Sequence, residues 1–356
     1  MTTTAPAVTD EALKLKFEAT TDDKPATPYK YEHLLPYYND SLKLPPLEPF
    51  EHVDPGHAAL EDPEPQSFLK DAEIKLLSPN FGAEVDGVDL TKLDSRERSQ
   101  LALYVAQKGV VVFKNNLNFI DADPSWQVND WTTFFGRPHI HVVSGQPKDH
   151  PEIHLVYRDA SKSFLQSISA NRLSTRNIHS DITFEAQPAG LTALFLYDTP
   201  EAGHDTIYFD QAEAYDRLSE PFKAFLSTLS AEHSGFEQAA HAARTRGPDA
   251  VKRQPVKHVH PLVRTHPVTG RKALFVNQGF TRSIVGLKQE ESDAVLKLLF
   301  DHLAQGHDFQ VRPQWAPGDV VIWDNRVTAH SASESAGLTG RRHGARLTPQ
   351  AERPRQ

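Results

Sequence analysis

The sequence predicts an α+β fold in which helices flank a β-sandwich or jelly roll. Three observations lead to this fold class. Many short apolar segments are separated by turns that contain Gly or Pro, and a few longer segments carry apolar residues at helical spacing. The chain also contains no internal repeat.

The helical patterns differ in length. The clearest amphipathic segment covers residues 289–306 and ends at Gly306. Residues 95–109 show a similar stripe, with Ser95 as the expected N-cap and Gly109 as the stop. Three shorter helices are predicted at residues 130–138, 211–218 and 220–229.

Strands are predicted where short segments alternate between apolar and polar residues or are apolar throughout. A hairpin is predicted for residues 258–267 and 272–280, which flank the turn "VTG". Residues 236–256 are polar and irregular, so no regular element is expected there. The other predicted strands cover residues 72–79, 110–115, 151–159, 190–198, 204–210, 308–315, 320–325 and 343–349.

Composition limits the classes of function. The chain has 356 residues, 38% of them apolar and 24% charged, with a net charge of −9. This balance disfavours nucleic acid or an anionic membrane as a partner, because both favour a basic surface. No run of 18 apolar residues predicts a membrane-spanning helix, and the N-terminus lacks the pattern of a secretory signal. A cytoplasmic protein is therefore expected.

The absence of cysteine restricts the metal chemistry. Disulfides, thiolate nucleophiles and Cys-ligated zinc or iron–sulfur sites are excluded. A metal site would therefore be built from histidine and carboxylate side chains. Because the chain has 18 histidines, only their spacing is informative.

Two regions are predicted along the chain. Residues 1–66 form a proline-rich N-terminal arm with ten of the 26 prolines, without regular elements and with its first 20 residues disordered. Aromatic residues within 28–66 indicate that this part lies on the body or on a neighbouring subunit. Residues 67–356 form the globular domain, in which the Ser- and Asn-rich loop 159–178 is predicted to be a lid.

The segment "NIHSDITF" (residues 177–184) contains the candidate site. His179 and Asp181 are two residues apart, which places both side chains on one face of a strand. His330 follows the predicted strand 320–325. Two histidines and a carboxylate suit Fe(II) with three open positions, and zinc would accept the same ligands. The spacing of the first two residues alone is also compatible with a satisfied surface pair.

Two arginines follow the third candidate ligand. In "RRHGARLT", alternation places Arg342, Gly344 and Arg346 on one face of a strand. Two guanidinium groups on one face repel each other unless an anion binds between or beside them. Arginine matches carboxylates and sulfonates bidentately, so the pattern predicts an anion site.

Three segments resemble the taurine dioxygenase (TauD/TfdA) family of Fe(II)- and 2-oxoglutarate-dependent dioxygenases: "NIHSDITFEAQPAGLTALFLYDTPEAGHDTIYFD", "HPLVRTHPVTGRKALFVNQGFTRSIVGL" and "WDNRVTAHSA…GRRHGARLTP". The similarity runs from about residue 73 to residue 353. The segments "PEIHLVYRDA", "RTHPVTGRKALFVN" and "RLTPQAERP" most resemble the fungal sulfonate dioxygenase branch. The resemblance implies a double-stranded β-helix (jelly roll) core with flanking helices.

The resemblance implies roles for the matching residues. His179, Asp181 and His330 would hold Fe(II), with Asp181 as a ligand rather than a base. Arg342 would bind the far carboxylate of the co-substrate 2-oxoglutarate, assisted by the hydroxyl of Thr206.

The resemblance also implies a substrate site. Arg346 would hold the anionic group of the substrate, His141 would contact the same group, and Phe280 would form an aromatic wall. The chain departs from the taurine enzymes at Thr175 and Ser144, where those enzymes carry Asn and Tyr. Both departures surround the substrate rather than the iron, so they bear on the identity of the substrate.

The expected reaction is the hydroxylation of a small anionic substrate, with 2-oxoglutarate and O₂ consumed and ascorbate as a supporting reductant. An alkyl sulfonate such as taurine would yield succinate, CO₂, an aldehyde and sulfite. The same chemistry on a purine, a phenoxy acid, an amino acid or a secondary metabolite is the alternative. A zinc hydrolase and a non-catalytic jelly-roll binding module are alternatives of other classes. The family tends to oligomerise, so a homo-oligomer (dimer or tetramer) is expected.

Overall fold

The computed structural model describes residues 29–158, 177–200, 203, 205–333 and 340–356. The expected disorder of the first 20 residues lies outside the described residues. The predicted lid also lies outside them, except for its last two residues. None of the helices in the described part is long and apolar enough to cross a membrane.

The strands form one large sheet and several small ones. The large sheet has seven strands in the order β1-β2-β3-β14-β6-β16-β5, and a second sheet has the order β13-β7-β15. In chain order the strands of the described residues are β1 (Glu73–Leu76), β2 (Ala83–Asp86), β3 (Val110–Phe113), β4 (Arg137–Pro138), β5 (His154–Arg158), β6 (Leu191–Asp198), β7 (Thr206–Asp210), β8 (Ser230–Ser234), β9 (Lys257–Pro261), β10 (Val263–Thr265), β11 (Lys272–Leu274), β12 (Thr281–Ile284), β13 (Gln310–Val311), β14 (Val320–Asp324), β15 (Thr328–Ala332), β16 (Arg342–Leu347) and β17 (Pro349–Gln350).

The helices surround the sheets. A π-helical turn, Gln127–Thr132, joins two of the short ones. In chain order the helices of the described residues are α1 (Gly56–Leu60), α2 (Ser95–Lys108), α3 (Leu117–Ile120), α4 (Pro124–Trp126), α5 (Thr133–Phe135), α6 (Gln211–Asp216), α7 (Glu220–Leu226), α8 (Phe236–Arg246) and α9 (Gln289–Gln305).

The central strands of the large sheet, β3, β14 and β6, are buried on both faces. Alternate residues of β3, β6 and β14 point toward the second sheet and meet Tyr208 of β7 and Val311 of β13 in one buried cluster. The intervening residues of the same strands pack with α2 and the N-terminal arm on the opposite face. The predicted α+β class is confirmed, with one large sheet as its main layer. The predicted hairpin is present over a shorter length, as β10 and β11, because the preceding strand β9 pairs with β8 instead.

The N-terminal cap of α2 differs from the prediction. The cap is Asp94 and not Ser95, because the Asp94 carboxylate accepts a hydrogen bond from the Glu97 amide at 2.8 Å. The Glu97 carboxylate accepts one from the Asp94 amide at 3.0 Å in return. This reciprocal pair satisfies two amides that would otherwise lack partners.

The interpretation of residues 236–256 as irregular is wrong, because α8 occupies the first half of this segment. The helix buries only Ala239 and Ala242, and two such small side chains give a weak apolar stripe. The predicted helix 130–138 also begins earlier, at Pro124. Both differences arise where the apolar spacing is poor.

Residues 29–66 of the arm lie against the domain. Tyr31 and Leu34 are buried in the same core cluster as α2. A 3₁₀ turn at Glu32–Leu34 and the helix α1 correct the expectation that the arm has no regular elements. The described part of the arm is therefore part of the folded body.

His343 of β16 joins the arm to the large sheet. Its Nε2 donates to the carbonyl of Leu34 at 3.1 Å, and its Nδ1 accepts from the hydroxyl of Tyr29 at 2.7 Å. The acceptor role of Nδ1 requires a neutral imidazole, whereas Nε2–H can donate in either charge state. Burial lowers the pKa of His343 to about 4.

We expect the stability contributed by this buried neutral imidazole to fall in mild acid, because the unfolded chain takes up a proton there while the folded protein does not. Because the pKa of His343 is lower in the folded protein than the ordinary value of about 6.5, its contribution is complete above pH 6.5 and falls as the pH drops toward 4. Urea unfolding should give a free energy of unfolding that is about 2 kcal/mol lower at pH 5 than at pH 7 from this residue. The H343Q variant should show a smaller loss, and an equal loss in both proteins would contradict this role.

Candidate active site

Backbone hydrogen bonds place the candidate ligands. His179 and His330 exchange both of their backbone hydrogen bonds, at 2.9 and 2.7 Å. The prediction that His179 and Asp181 lie on one strand is wrong, because only His179 pairs and a turn begins at Asp181. Ile182 in this turn has a φ of 47°, which is strained for a β-branched residue. The turn brings the carboxylate back to the two imidazoles.

The three side chains converge. The Nε2 atoms of His179 and His330 each lie 3.8 Å from Oδ1 of Asp181, and the two ring centroids are 4.3 Å apart. One ligand atom from each residue lies within 4.8 Å of the others, so a single ion can contact all three. Among the described residues, no second group of three such side chains meets this condition.

The polar atoms of the group fit a metal ion. Both ring nitrogens of His330 and Oδ2 of Asp181 are buried without a hydrogen-bond partner among the described residues, which is rare for buried polar atoms. Nδ1 of His179 donates to the carbonyl of Asn177 at 2.9 Å and leaves the lone pair of Nε2 free. Burial lowers the pKa of both imidazoles, so both are neutral, as ligation requires.

Asn325 anchors the ligand turn and was missed in the sequence. Its Oδ1 accepts hydrogen bonds from the Asp181 amide at 2.9 Å and from Nε1 of Trp323 at 3.1 Å. Its Nδ2 donates to the carbonyl of Gly190 at 2.9 Å and to the hydroxyl of Thr192 at 2.8 Å. One side chain thus ties the turn to two strands of the large sheet.

Arg342 and Arg346 lie on one strand of the large sheet, β16, where alternation gives them the same face. Nη1 of Arg346 donates to Oδ1 of Asp181 at 2.7 Å, and its guanidinium lies 5.2 Å from the ring centroid of Trp323. Arg342 is buried, and its Nε has no hydrogen-bond partner among the described residues. Burial and the charge of Arg346 lower the pKa of Arg342 to about 10, which a bound anion would offset.

Tyr208 lies close to both arginines and was also missed. It pairs with His330 between β7 and β15, and its hydroxyl is buried without a hydrogen-bond partner among the described residues. Burial raises its pKa well above the ordinary range, while the two arginines act in the opposite sense. Thr206 lies two residues earlier on the same strand face and is buried as well.

His141 reaches the site through a second histidine. Its ring stacks on that of His154 with the centroids 4.3 Å apart, and His154 pairs with Arg346 between β5 and β16. Nδ1 of His141 accepts from the amides of Val143 at 3.3 Å and Ser144 at 3.1 Å. Burial and the neighbouring cationic groups lower the pKa of His141 well below its usual range, so its proton is on Nε2.

Phe280 forms an apolar wall beside His179. The two rings meet edge to face with the centroids 5.8 Å apart, and Phe280 packs in the same way on Phe184 at 5.0 Å. Ile182 completes the buried cluster. A Cβ on Gly279 would lie 2.9 Å from Cβ of His179, so this close approach requires glycine.

Comparison with known proteins shows which proteins the chain is similar to. The family model described as "Taurine catabolism dioxygenase TauD, TfdA family" matches residues 73–348. An alpha-ketoglutarate-dependent sulfonate dioxygenase of Saccharomyces cerevisiae is 41% identical, over 91% of this chain and 79% of that protein. The alpha-ketoglutarate-dependent dioxygenase cnsM of Penicillium expansum is 40% identical, over 91% of this chain and 90% of that protein. The crystal structure of a taurine dioxygenase from Burkholderia xenovorans covers 80% of this chain and 92% of its own, with 31% identity and a TM-score of 0.63.

The fold, the site and these similarities define a dioxygenase that uses Fe(II), 2-oxoglutarate and O₂. The chain belongs to the TauD/TfdA family, as its resemblance predicted. This class replaces the alternatives of a zinc hydrolase and a non-catalytic binding module.

We expect the N325A variant to bind Fe(II) about 10-fold or more weakly, because the Asp181 amide loses its acceptor and the turn loosens. Titration of the apoprotein with Fe(II) under anaerobic conditions measures this affinity.

Asn116 supplies a matched control for this measurement. It is equally buried, and its side chain accepts from the Leu90 amide and donates to two backbone carbonyls. The N116A variant should lose stability but keep its iron affinity. Equal losses of affinity in both variants would show that Asn325 has only a general structural role.

Proposed function

We propose that the chain hydroxylates a small anionic substrate and that this substrate is an alkyl sulfonate such as taurine. The observation that carries the proposal is the pair of guanidinium groups, Arg342 and Arg346, beside the His–Asp–His group. Arg346 shares Asp181 with the candidate metal site, and Nε of Arg342 has no partner in the described chain. Two such cations favour two anionic ligands, a co-substrate and a substrate.

In this proposal His179, Asp181 and His330 hold the ferrous ion. The hydrogen bond from His179 to the carbonyl of Asn177 fixes the tautomer, and Asn325 holds the backbone of Asp181. A bound ferrous ion, together with 2-oxoglutarate and O₂, supplies the oxidant for an unactivated C–H bond.

Arg342 binds the far carboxylate of 2-oxoglutarate. A guanidinium forms charge-assisted, bidentate hydrogen bonds with a carboxylate, and burial strengthens such a pair. The hydroxyl of Thr206 is a second donor from the opposite sheet. The hydroxyl of Tyr208, which has no hydrogen-bond partner among the described residues, is a third donor in the same region.

Arg346 and His141 hold the anionic group of the substrate. Arg346 brings a fixed charge, and His141 brings Nε2–H from a neutral ring, so both donate at neutral pH. Holding the anion in this way orients the reacting carbon toward the metal ligands. The apolar wall of Phe280 limits access of water on the side of His179.

The products depend on the carbon that is hydroxylated. When that carbon carries the sulfonate, the product breaks down to an aldehyde and sulfite, and 2-oxoglutarate gives succinate and CO₂. The yeast relative is named for sulfonates, whereas the Penicillium relative of similar identity is named only as a dioxygenase. The same chemistry on a purine, a phenoxy acid, an amino acid or a secondary metabolite is therefore the second candidate, and Ser144 in place of the Tyr of taurine enzymes favours it.

We further propose that residues 67–356 form the catalytic domain, with its two packed sheets arranged as a double-stranded β-helix (jelly roll). The packing of β13-β7-β15 on the large sheet supports this arrangement. A dimer or tetramer and a cytoplasmic location stay predictions. Light scattering on the purified protein measures the first, and microscopy of the tagged protein in cells addresses the second.

We expect sulfonates to stimulate succinate formation from 2-oxoglutarate in the presence of Fe(II), ascorbate and O₂. Sulfite should appear in equal amount, because each hydroxylation releases one sulfite. The assay compares sulfonates with phenoxy acids, purines and amino acids. Stimulation by another class only would sink the sulfonate proposal while leaving the dioxygenase activity in place.

We expect the R342M variant to raise the KM for 2-oxoglutarate by about 30-fold or more, because loss of one partner of a buried charge pair costs about 2–5 kcal/mol. Initial rates of succinate formation against 2-oxoglutarate concentration measure this change.

The matched control is the adjacent arginine, R341M. Arg341 lies 4.0 Å from the ring centroid of Tyr29 in the arm, away from the anion site proposed for its neighbour. The KM of the R341M variant for 2-oxoglutarate should differ from that of the wild type by less than about twofold. A similar rise in both variants would argue against a specific role for Arg342.

A further inference from the structure

We infer that Lys252 is a positioning residue for the substrate site. With the N-terminal arm, it fixes residues 139–146, here called the substrate loop, so that His141 presents Nε2–H to the anionic group of the substrate. The inference rests on the proposed role of His141. Neither Lys252 nor the arm has a part in the function proposed above.

Lys252 holds the substrate loop with its side chain and its backbone. The residue is only 4% exposed. Its Nζ donates to the carbonyl of Ser144 at 2.6 Å and to Oε1 of Gln146. Its amide donates to the carbonyl of Val142 at 2.9 Å. One buried residue therefore supports three positions along five residues of the loop.

The N-terminal arm contacts the same loop. Tyr37 and Gln146 exchange both backbone hydrogen bonds, at 2.8 and 3.2 Å. A Cβ on Gly145 would lie 2.9 Å from Cβ of Pro36, so loop and arm are in close contact. The amide of Leu44 donates to the carbonyl of Lys252 at 2.7 Å. Lys252 is therefore hydrogen-bonded to the arm and to the substrate loop at once.

A second cationic residue connects the same parts. Arg246 of α8 donates from Nη2 to the carbonyl of Val143, and its guanidinium lies 4.8 Å from the ring centroid of Tyr38 in the arm. Val142 and Val143 also pack with Ala242 of that helix. The loop is thus held by hydrogen bonds and by apolar contact.

These contacts reach the imidazole of His141 through a short path. The backbone N–H groups of Val143 and Ser144 donate hydrogen bonds to Nδ1 of His141. The carbonyls of the same two residues accept from Arg246 and Lys252. The loop backbone therefore sets both the orientation of the ring and the nitrogen that carries the proton.

The positive charge of Lys252 also keeps His141 neutral and favours an anion at the substrate site. The hydrogen-bond acceptors of its Nζ are a carbonyl and an amide oxygen, both neutral. Burial lowers its pKa to about 8, so it is cationic at pH 7, and its charge disfavours protonation of both His141 and His154. A buried cation without a carboxylate among these contacts raises the positive potential on the side where the anion is proposed to bind.

The test compares K252M, which removes the donor and the charge, with K252Q, which keeps a donor. Lys114 gives a matched control, because it is partly buried and its Nζ is paired with Asp319, the residue immediately before β14. For each protein, the KM for the stimulating sulfonate, the KM for 2-oxoglutarate and the hydrogen exchange of the loop amides are measured.

For K252M we expect a sulfonate KM about 10-fold higher, consistent with the loss of about 1.4 kcal/mol of substrate binding. The KM for 2-oxoglutarate should change less than twofold, and the loop amides should exchange about 10-fold faster. K252Q should lie between K252M and the wild type. K114M should change neither the sulfonate KM nor the exchange of the loop. If K252M does not fold, K252Q is compared with K114M on the same measurements.

Unchanged loop exchange in the folded Lys252 variants overturns the inference, whatever the substrate. Faster loop exchange with an unchanged substrate KM also overturns it, because the loop would then not position a substrate ligand. If the wild type accepts no sulfonate, the proposed substrate is wrong, and the same KM ratio is measured with the compound that does stimulate succinate formation. The failure of the proposed function and the failure of this inference are therefore distinguishable.

Discussion

The two backbone hydrogen bonds between His179 and His330 are the contact on which the candidate site depends. They attach a short segment, which belongs to no strand, to β15 of the second sheet. Because the same residues carry the imidazoles, pairing of the backbone brings the side chains together. The following turn, strained at Ile182, completes the group by returning the carboxylate of Asp181. Strain of this kind persists only where the surrounding structure holds it, as Asn325 does here.

The segment that follows Asn325 is held by a buried network of charges. Arg326 is hydrogen-bonded to Asp324 and paired with Asp54 of the arm and Glu352 near the C-terminus. Arg326, Asp324 and Asp54 are almost inaccessible to water, so breaking one of their pairs would leave an unpaired buried charge. The family model matches residues 73–348, so both Asp54 and Glu352 lie outside the matched region. Residues outside the matched region thus stabilise the turn that leads to the third candidate ligand.

Electrostatic imbalance distinguishes the site from the rest of the interior. The large sheet contributes Arg342 and Arg346, and the substrate loop is supported by Lys252. Of these three cations, Arg346 is hydrogen-bonded to the carboxylate of Asp181. Such an excess of buried positive charge is unfavourable in the protein alone. The excess becomes favourable when anions bind. It therefore suits an enzyme whose co-substrate, 2-oxoglutarate, is a dicarboxylate. The same reasoning makes an anionic substrate the natural complement of this site.

The sequence by itself determined the α+β class, the main strands and the residues of the candidate site, because alternation and the order of motifs are local properties of the chain. The pair Arg342 and Arg346 on one strand face is an example. The tertiary structure alone decided how these residues meet. The strand predicted through Asp181 is a turn, and Asn325, Tyr208 and Lys252 acquire their importance from contacts with residues far away in the chain. Hydrogen-bond partners of buried polar groups depend on the packing of distant segments, and local periodicity contains no information about them.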